Sequence, residues 1–367
     1  GGICGAITAN TATIAACNYS TRLGFTNGTT GMGSQGANQC INCGVNDSAY
    51  SSPINVNVNS TYLLMINNTG GNVSGFTIDF SNTPTVQYVA SNPLNWSGGA
   101  NSLWSNSQNW GGCGTPDCSV GATVLPGLNQ PTITGTETVN NLVIAPGAAL
   151  NLAAGATLNV CGNFINNGTL NASPTSTVRF IGSGAQNISG NLTGLSRFGN
   201  LVIDRASAAT AVTLQSTVEV GGDFSTANAT SVLNLNNKIL RLYGNFTNTS
   251  GNTTITGVGT GATGSTVEFA GTANQVFTNN GSNLVLNNVI INLGNPTLSV
   301  TLTPNPTSNL IIGSGVAPNT GGNLTLTRGR VITGTANEVV VRNTLPASVS
   351  PSGSSKPMTH SRSTINA

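Results

Sequence analysis

Apolar and polar residues alternate in short segments along most of this chain, and turns rich in Gly, Asn and Pro separate the segments. Leu158-x-Val160, Val178-x-Phe180 and Leu298-x-Val300-x-Leu302 are three such segments. A period of two residues predicts β-strands that bury one face. Helical periodicity is not sustained in any window of the sequence, because Gly and Asn interrupt every candidate. The pattern therefore predicts an all-β protein.

Two motifs recur at intervals that are typical of repeat proteins. The segment Val218–Phe224 (VEVGGDF) matches Leu240–Phe246 (LRLYGNF) with an offset of 22 residues, and Leu158–Phe164 (LNVCGNF) is a third copy. A second motif begins at Ser176 (STVRFIGSGAQ) and again at Ser265 (STVEFAGTANQ). Units of this length with short strands and tight turns are typical of a solenoid, because one unit cannot bury its apolar face alone. The repeats predict a parallel β-helix with coils of about 22 residues, stacked at the strand spacing of ~4.8 Å.

The repeat offset also predicts a register between neighbouring coils. If 22 residues make one coil, Glu219 and Arg241 lie side by side on the outer face as an ion pair. An exposed pair of this kind stabilises a fold by only ~0–1 kcal/mol. We further expect corner Asn residues to adopt the left-handed conformation and to form ladders of amides along the solenoid.

The sequence divides into four parts on this basis. Residues 1–90 hold four cysteines and strand-like segments around a Gly-rich turn, which predicts a small antiparallel β-sandwich module that looks partial. Residues 91–141 read as a Trp-rich linker and a cap for the β-helix. The parallel β-helix is predicted over residues 142–345, and residues 346–367 lose the periodicity and read as an irregular tail.

Composition narrows the class of protein further. Only 5% of the residues are charged, against about 25% in ordinary globular proteins. The net charge of +2 comes from scattered residues, whereas nucleic-acid binding needs a clustered basic patch. The sequence has no apolar run long enough for a membrane helix, and its first residues do not resemble a signal peptide, so we expect a mature or truncated chain. These features predict neither nucleic-acid binding nor a membrane span.

Seven cysteines indicate an oxidising compartment. The pairs that are closest in sequence are Cys4 with Cys17, Cys40 with Cys43, and Cys113 with Cys118, and a zinc site that uses Cys40-x-x-Cys43 is the alternative for the middle pair. Cys161 is then left over. It occupies the position of Gly221 and Tyr243 in the other motif copies, which favours a small free thiol at a coil corner.

Several segments resemble a known family. Tyr62–Asn68 (YLLMINN) and Gly75–Phe80 (GFTIDF), together with the surroundings of Cys4 and Cys17, resemble the closing half of a β-sandwich module of gliding-motility-associated and adhesin-like surface proteins of Bacteroidetes. The Trp-rich segment and the repeated Gly-Asn-Phe and Ser-Thr-Val-x-Phe-x-Gly units resemble the β-helical repeats of the same proteins. The likeness covers most of residues 1–345. It implies export by the type 9 secretion system, and, because no C-terminal sorting domain is recognisable, that the chain is a fragment of a longer polypeptide.

Residues with chemical potential are few. The single histidine, His360, lies in the tail, so we expect neither a His-dependent catalytic triad nor a His-rich metal site, and no cofactor. Polysaccharide-cleaving β-helices resemble one another in clustering acids on one outer face, and Glu219, Asp223 and Arg241 come nearest to that arrangement here. Gly221-Gly222 between the two acids reads as a corner turn. We therefore interpret these charges as a solvated face and predict that the chain is not an enzyme.

Two further features have a functional and a structural interpretation. Trp96, Trp104 and Trp110 would form a glycan-binding platform if they were exposed, but we favour a cap over the open end of the first coil, which solenoids require. Asp47-Ser48-Ala49 fits the pattern that resembles the O-glycosylation acceptor of Bacteroidetes exported proteins, which makes Ser48 a candidate site.

The sequence thus predicts a structural or adhesive segment of a secreted cell-surface protein, built around a rigid β-helical stalk without catalysis. A surface glycan-binding module is the first alternative, and a polysaccharide-cleaving β-helix enzyme is the second. The expected partners are a cell-surface or polysaccharide ligand, the secretion translocon, or further copies of the chain in a self-assembly. The expected location is extracellular.

Overall fold

A computed structural model describes residues 93–351 and four two-residue strands nearer the N-terminus. Within residues 93–351 it leaves out 111–113, 206–209, 229, 250–254, 257–263, 282, 304–307, 314–321, 334–336 and 344–348. The chain forms two compact units, Gly1–Gln87 and Tyr88–Ala367.

The first unit is described only in four short strands. These are β1 (Cys17–Asn18), β2 (Gly31–Met32), β3 (Cys40–Ile41) and β4 (Tyr50–Ser51). β1 pairs with β3 and β2 pairs with β4, and both pairs are parallel. The segments that predicted the antiparallel sandwich, residues 54–80, lie outside the described residues.

The second unit is a parallel β-solenoid with coils of about 23 residues, which confirms the predicted fold class. Each coil turns through three faces, and the strand on each face pairs in parallel with the strand of the next coil. The first face is an eight-stranded sheet continued by a three-stranded one. Its strands are β5 (Leu94–Trp96), β6 (Ala122–Val124), β9 (Leu142–Ile144), β12 (Phe164–Asn166), β15 (Gln186–Gly190), β17 (Val212–Leu214), β20 (Leu233–Asn234), β23 (Ile255–Thr256), β26 (Leu284–Leu286), β29 (Leu310–Ile312) and β32 (Val339–Val341).

The second face is a three-stranded sheet followed by a six-stranded one, and a 3-10 helix, Gly194–Ser196, lies between them in the chain. The strands are β7 (Thr132–Ile133), β10 (Ala149–Leu152) and β13 (Thr169–Ala172), then β18 (Val218–Val220), β21 (Ile239–Leu242), β24 (Thr266–Phe269), β27 (Asn288–Asn292), β30 (Leu324–Arg328) and β33 (Val349–Pro351).

The third face is a continuous nine-stranded sheet. Its strands are β8 (Thr136–Val139), β11 (Thr157–Val160), β14 (Thr177–Phe180), β16 (Asn200–Ile203), β19 (Phe224–Thr226), β22 (Phe246–Asn248), β25 (Gln275–Asn279), β28 (Ser299–Leu302) and β31 (Arg330–Ile332).

The predicted register between the 22-residue repeats is confirmed. Val218 lies opposite Leu240, and Glu219 lies opposite Arg241 on the neighbouring strand. Coils that carry longer corner loops have larger offsets, as where Phe246 pairs with Phe277 on the nine-stranded sheet. The strands thus keep their alignment while the corners absorb insertions.

The core runs along the inside of the coils, because alternate strand residues point inward and stack on the equivalent residues above and below. Phe224, Phe246 and Phe277 form one such row on the nine-stranded sheet, with ring centroids 5.3 and 4.7 Å apart. All three side chains are buried. Each row continues the apolar surface of the preceding coil, which is how a solenoid buries faces that no single coil can bury.

The solenoid begins before residue 142. Strand β5 pairs with β6, and β6 pairs with β9, so the Trp-rich segment contributes strands to the eight-stranded sheet as well as closing its end. A 3-10 helix, Ser107–Trp110, belongs to this cap.

Candidate functional site

The most concentrated group of charges in the described residues lies on the outer surface of the six-stranded sheet. Glu219, Arg241 and Glu268 occupy equivalent positions on β18, β21 and β24, and we call them the charged ladder. Arg241 donates from Nη1 to Glu219 Oε1 and from Nε to Glu268 Oε2, the latter at 2.7 Å. The two carboxylates are buried, whereas the arginine side chain keeps 29% of its surface exposed.

Both ends of the charged ladder are also tied to the fold. The second oxygen of Glu219 accepts from the backbone N–H of Gly194 at 2.8 Å, and Glu268 Oε1 accepts from Asn292 Nδ2 at 3.1 Å. Burial alone lowers the pKa of Arg241, but the hydrogen bonds and charges of Glu268 and Glu219 outweigh it and hold that pKa above its usual value. The guanidinium therefore stays charged, and both acids are occupied by bonds within the solenoid.

The acid pair that the sequence singled out does not share one surface. Glu219 lies in the charged ladder on the six-stranded sheet, whereas Asp223 lies past the corner, directly before β19 of the nine-stranded sheet. Asp223 Oδ1 accepts from the backbone N–H of Asn245 at 2.7 Å. Each carboxylate thus accepts a hydrogen bond from a neighbouring coil, and the two acids lie on different faces of the solenoid.

The repeated glutamine of the second motif joins two coils at a corner. Gln186 Oε1 accepts from the Gly182 N–H at 3.1 Å, and Nε2 donates to the carbonyl oxygens of Val160 and Gly162 in the preceding coil at 3.0 and 2.7 Å. The side chain is fully buried. The glutamine therefore satisfies three backbone groups that the corner would otherwise bury without a partner.

Corner asparagines form the amide ladders that the sequence predicts. Asn141 Oδ1 accepts from the Asn163 N–H, and Asn163 Oδ1 accepts from the Asn187 N–H, both at 2.8 Å. The left-handed conformation is not part of these ladders: among the described non-glycine residues it occurs at Asn236 and Asn237, in the turn before β21. Laddering and positive φ are thus supplied by different asparagines.

Sequence reasoning missed a buried arginine near the corner that Gln186 forms. Arg205 is fully buried, and its guanidinium donates to Gln186 Oε1 at 2.9 Å and to the Gly184 carbonyl oxygen at 2.7 Å, as well as to Ser183 and Thr210. Burial lowers its pKa. In the sequence it lies two residues after strand β16, next to Asp204, as one more scattered charge, so no pattern marks it as an internal group.

The three tryptophans are the cap that we favoured and do not form an exposed platform. Trp96, Trp104 and Trp110 are each at most 2% exposed, and Trp110 contacts the other two edge to face at 5.0 and 4.7 Å. Trp96 Nε1 donates to the Asn129 carbonyl and Trp110 Nε1 to the Trp104 carbonyl, both at 2.7 Å. Their ring faces are buried, so the glycan-contact hypothesis for these residues is wrong.

The cysteine prediction in the solenoid is also corrected. Cys118 forms a disulfide with Cys161, with Cα atoms 5.3 Å apart, so Cys118 does not pair with Cys113 and Cys161 is not a free thiol. The prediction failed because it used distance along the chain, whereas the stacked coils bring residues 43 positions apart into contact. In the first unit, Cys17 lies opposite Cys40 in the β1–β3 pair.

The other sequence-predicted residues are outside the described part. Cys4, Cys43, Ser48, Cys113 and His360 fall there, and the zinc alternative for Cys40 and Cys43 therefore stays a prediction. In the described residues, no three or more His, Cys, Asp and Glu side chains gather as metal ligands would. A search of the same residues for helices found none with the length and apolarity that crossing a membrane requires.

Comparisons with known proteins give no family for this chain: no family model, curated protein or solved structure matches it.

Proposed function

We propose that this chain is a rigid, non-catalytic structural segment of a secreted cell-surface protein. One observation carries the proposal: the polar residues that recur in the sequence motifs form hydrogen bonds that join one coil to the next. Gln186 binds the preceding coil through two carbonyl oxygens, and the motif's second glutamine, Gln275, binds Leu242 and Gly244 in the same way. A repeat maintained for a ligand would direct such side chains outward instead.

The disulfide supports the extracellular part of the proposal. Cys118 is exposed, and a disulfide between it and Cys161 persists in oxidising compartments but is rare in the cytosol. The resemblance to Bacteroidetes surface proteins supports the same location and export by the type 9 system. An adhesive role remains a second part of this proposal, because the low charge leaves little long-range repulsion against contact with other surfaces.

A cleavage assay tests the non-catalytic part. The full chain is incubated with a panel of neutral and acidic polysaccharides, and new reducing or unsaturated ends are measured. We expect no release above that of a heat-denatured sample. Cleavage of any polysaccharide that is lost in Glu219→Gln or Asp223→Asn, two changes that keep side-chain size, would reassign the chain to the β-helix enzymes.

Surface location is tested on the native cells. Intact cells that produce the protein are treated with a protease that does not cross membranes, and the chain is followed with an antibody. We expect the antibody signal at the cell surface before treatment and its loss, in whole or in part, afterwards, with a cytosolic protein as the intact control. A signal that is found only after lysis would overturn the proposed location.

A further inference from the structure

The N-terminal end of the solenoid closes its three faces unequally. The eight-stranded sheet starts at β5, which carries Trp96 of the aromatic cap, and the second face is extended by Leu103, which bridges to Thr132 of β7. The nine-stranded sheet starts at β8, and none of the described residues pairs with β8 on the side away from β11. Among the described residues, the first strand of this one sheet therefore has a partner on one side only.

The unpaired backbone groups of β8 can be named from the hydrogen-bond pattern. The Gly135 and Val139 carbonyls accept from Thr157 and Cys161 of the next coil, both at 2.8 Å. Because neighbouring residues of a strand direct their backbone groups to opposite sides, Thr136 and Thr138 direct theirs to the open edge. At the next position on that side, the Asn140 N–H is already bonded to the Val120 carbonyl at 3.2 Å, so in the described residues the cap loop contacts the edge at Asn140.

The side chain between these two threonines is a charge in a core position. Glu137 lies opposite Leu158, in the row that continues through the buried Val178, Leu201 and Phe224. It is half-buried at the end of that row, and burial raises the pKa of its carboxyl. An added strand would place an apolar residue on this carboxylate and remove it from water. Inward-pointing charge on an edge strand is one way in which proteins prevent edge-to-edge pairing.

We propose that the β8 edge is an assembly surface for a second copy of this chain, and that Glu137 weakens this contact. The matching surface is β31, the strand at the other end of the same sheet, which within the described residues pairs with β28 alone. The two edges belong to strands that run in the same direction, so β31 of one copy can add to β8 of the next as a further parallel strand. The net charge of +2 opposes such contact only weakly.

This contact is head to tail, and head-to-tail contacts that do not close into a ring build filaments. The proposed self-assembly extends the structural role but does not depend on it, because the test measures association of the pure chain rather than its location or activity. If the chain proves to be cytosolic, we still expect it to associate. If it does not associate, the proposed structural role at the cell surface is unaffected.

The experiment replaces Glu137 by an uncharged residue and measures self-association by sedimentation. Glu137→Leu is compared with the natural chain and with Thr138→Leu, which adds the same side chain on the outward side of the same strand. We expect Glu137→Leu to form a concentration-dependent series of oligomers in sedimentation. Its association should begin at protein concentrations at least tenfold below those at which the natural chain and Thr138→Leu associate. Glu137→Gln, a milder change, guards against misfolding of the leucine variant and should shift association in the same direction.

Two blocking changes then identify the edges. Proline at Thr138 removes an N–H from the β8 edge, and proline at Val331 removes one from β31, where the Arg330 N–H is already bonded to the Leu298 carbonyl on the inner side. Glu137→Leu/Thr138→Pro and Glu137→Leu/Val331→Pro should each be monomeric, and an equal mixture should give one-to-one dimers. Two results would overturn the proposal. One is that Glu137→Leu and Glu137→Gln both stay monomeric. The other is that Glu137→Leu/Val331→Pro forms dimers by itself, which would mean that β8 pairs with β8.

Discussion

Gln186 and Gln275 make the same three hydrogen bonds at two different corners of the solenoid. Each accepts from the N–H of a glycine four residues earlier and donates to two carbonyl oxygens of the preceding coil. Gln186 begins a strand of the eight-stranded sheet, whereas Gln275 begins a strand of the nine-stranded sheet. The repeated sequence thus encodes a corner rather than a coil, and these two corners are similar enough to share it.

Removing one of these glutamines leaves buried backbone groups without a partner. We expect Gln275→Ala to lower the free energy of unfolding by about 2–4 kcal/mol, because each unsatisfied buried group costs about 1–3 kcal/mol. Urea unfolding followed by circular dichroism measures the change. Gln108→Ala, at an exposed position, is the control and should stay within about 0.5 kcal/mol of the natural chain. Equal effects of the two substitutions would contradict a role for the corner bonds.

The corner chemistry explains what the sequence revealed about the fold. Alternation and the 22-residue offset between Val218 and Leu240 were sufficient for the solenoid and its register, because both follow directly from stacked parallel strands. The 60-residue offset between Leu158 and Val218 did not indicate on which face of the solenoid each motif copy lies. It is about two and two-thirds coils, so the first copy lies on the nine-stranded sheet and the second on the six-stranded sheet.

The side-chain contacts that sequence reasoning missed depend on coil position. Cys118 and Cys161 lie two coils apart in the chain, and Arg205 reaches its partner Gln186 across one corner. The loops at the corners vary in length. Chain distance therefore does not give spatial distance at these points. Periodic positions were predictable, and positions fixed by loops were not.

The charged ladder stabilises the fold only as a complete set. Arg241→Leu would leave Glu219 and Glu268, two strands apart, as buried acids without a countercharge. We expect a loss of about 2–3 kcal/mol, less than for a fully buried pair because the arginine is partly exposed. Adding Glu219→Gln and Glu268→Gln to Arg241→Leu should restore more than half of it. Chemical denaturation of the three proteins measures both steps, and a triple variant no more stable than Arg241→Leu would contradict this account.

The disulfide in the cap gives a prediction that separates it from the pairing expected from sequence. Closing a loop of 43 residues stabilises a fold by up to about 4 kcal/mol in the chain-entropy model. We expect Cys161→Ser to lower the thermal midpoint and to increase protease cleavage of the residues before Ala122. Cys113→Ser should leave both measurements unchanged. A destabilised Cys113→Ser variant beside an unaffected Cys161→Ser variant would restore the local pair.

Glu137 makes the stability of the solenoid depend on pH in a defined direction. Burial raises the pKa of this carboxyl above its usual value of 4.5, so between the two values the folded chain binds more protons than the unfolded chain. Stability from this group is therefore complete below the unfolded value and is lost as the pH rises through the folded value. We expect Glu137→Gln to stabilise the chain at pH 7 and to lose that advantage near pH 4. Urea midpoints at the two pH values measure the difference, with Glu338→Gln, which removes one carboxylate directly before β32, as the control. An advantage of Glu137→Gln that is the same at both pH values would show that charge at this position does not oppose folding.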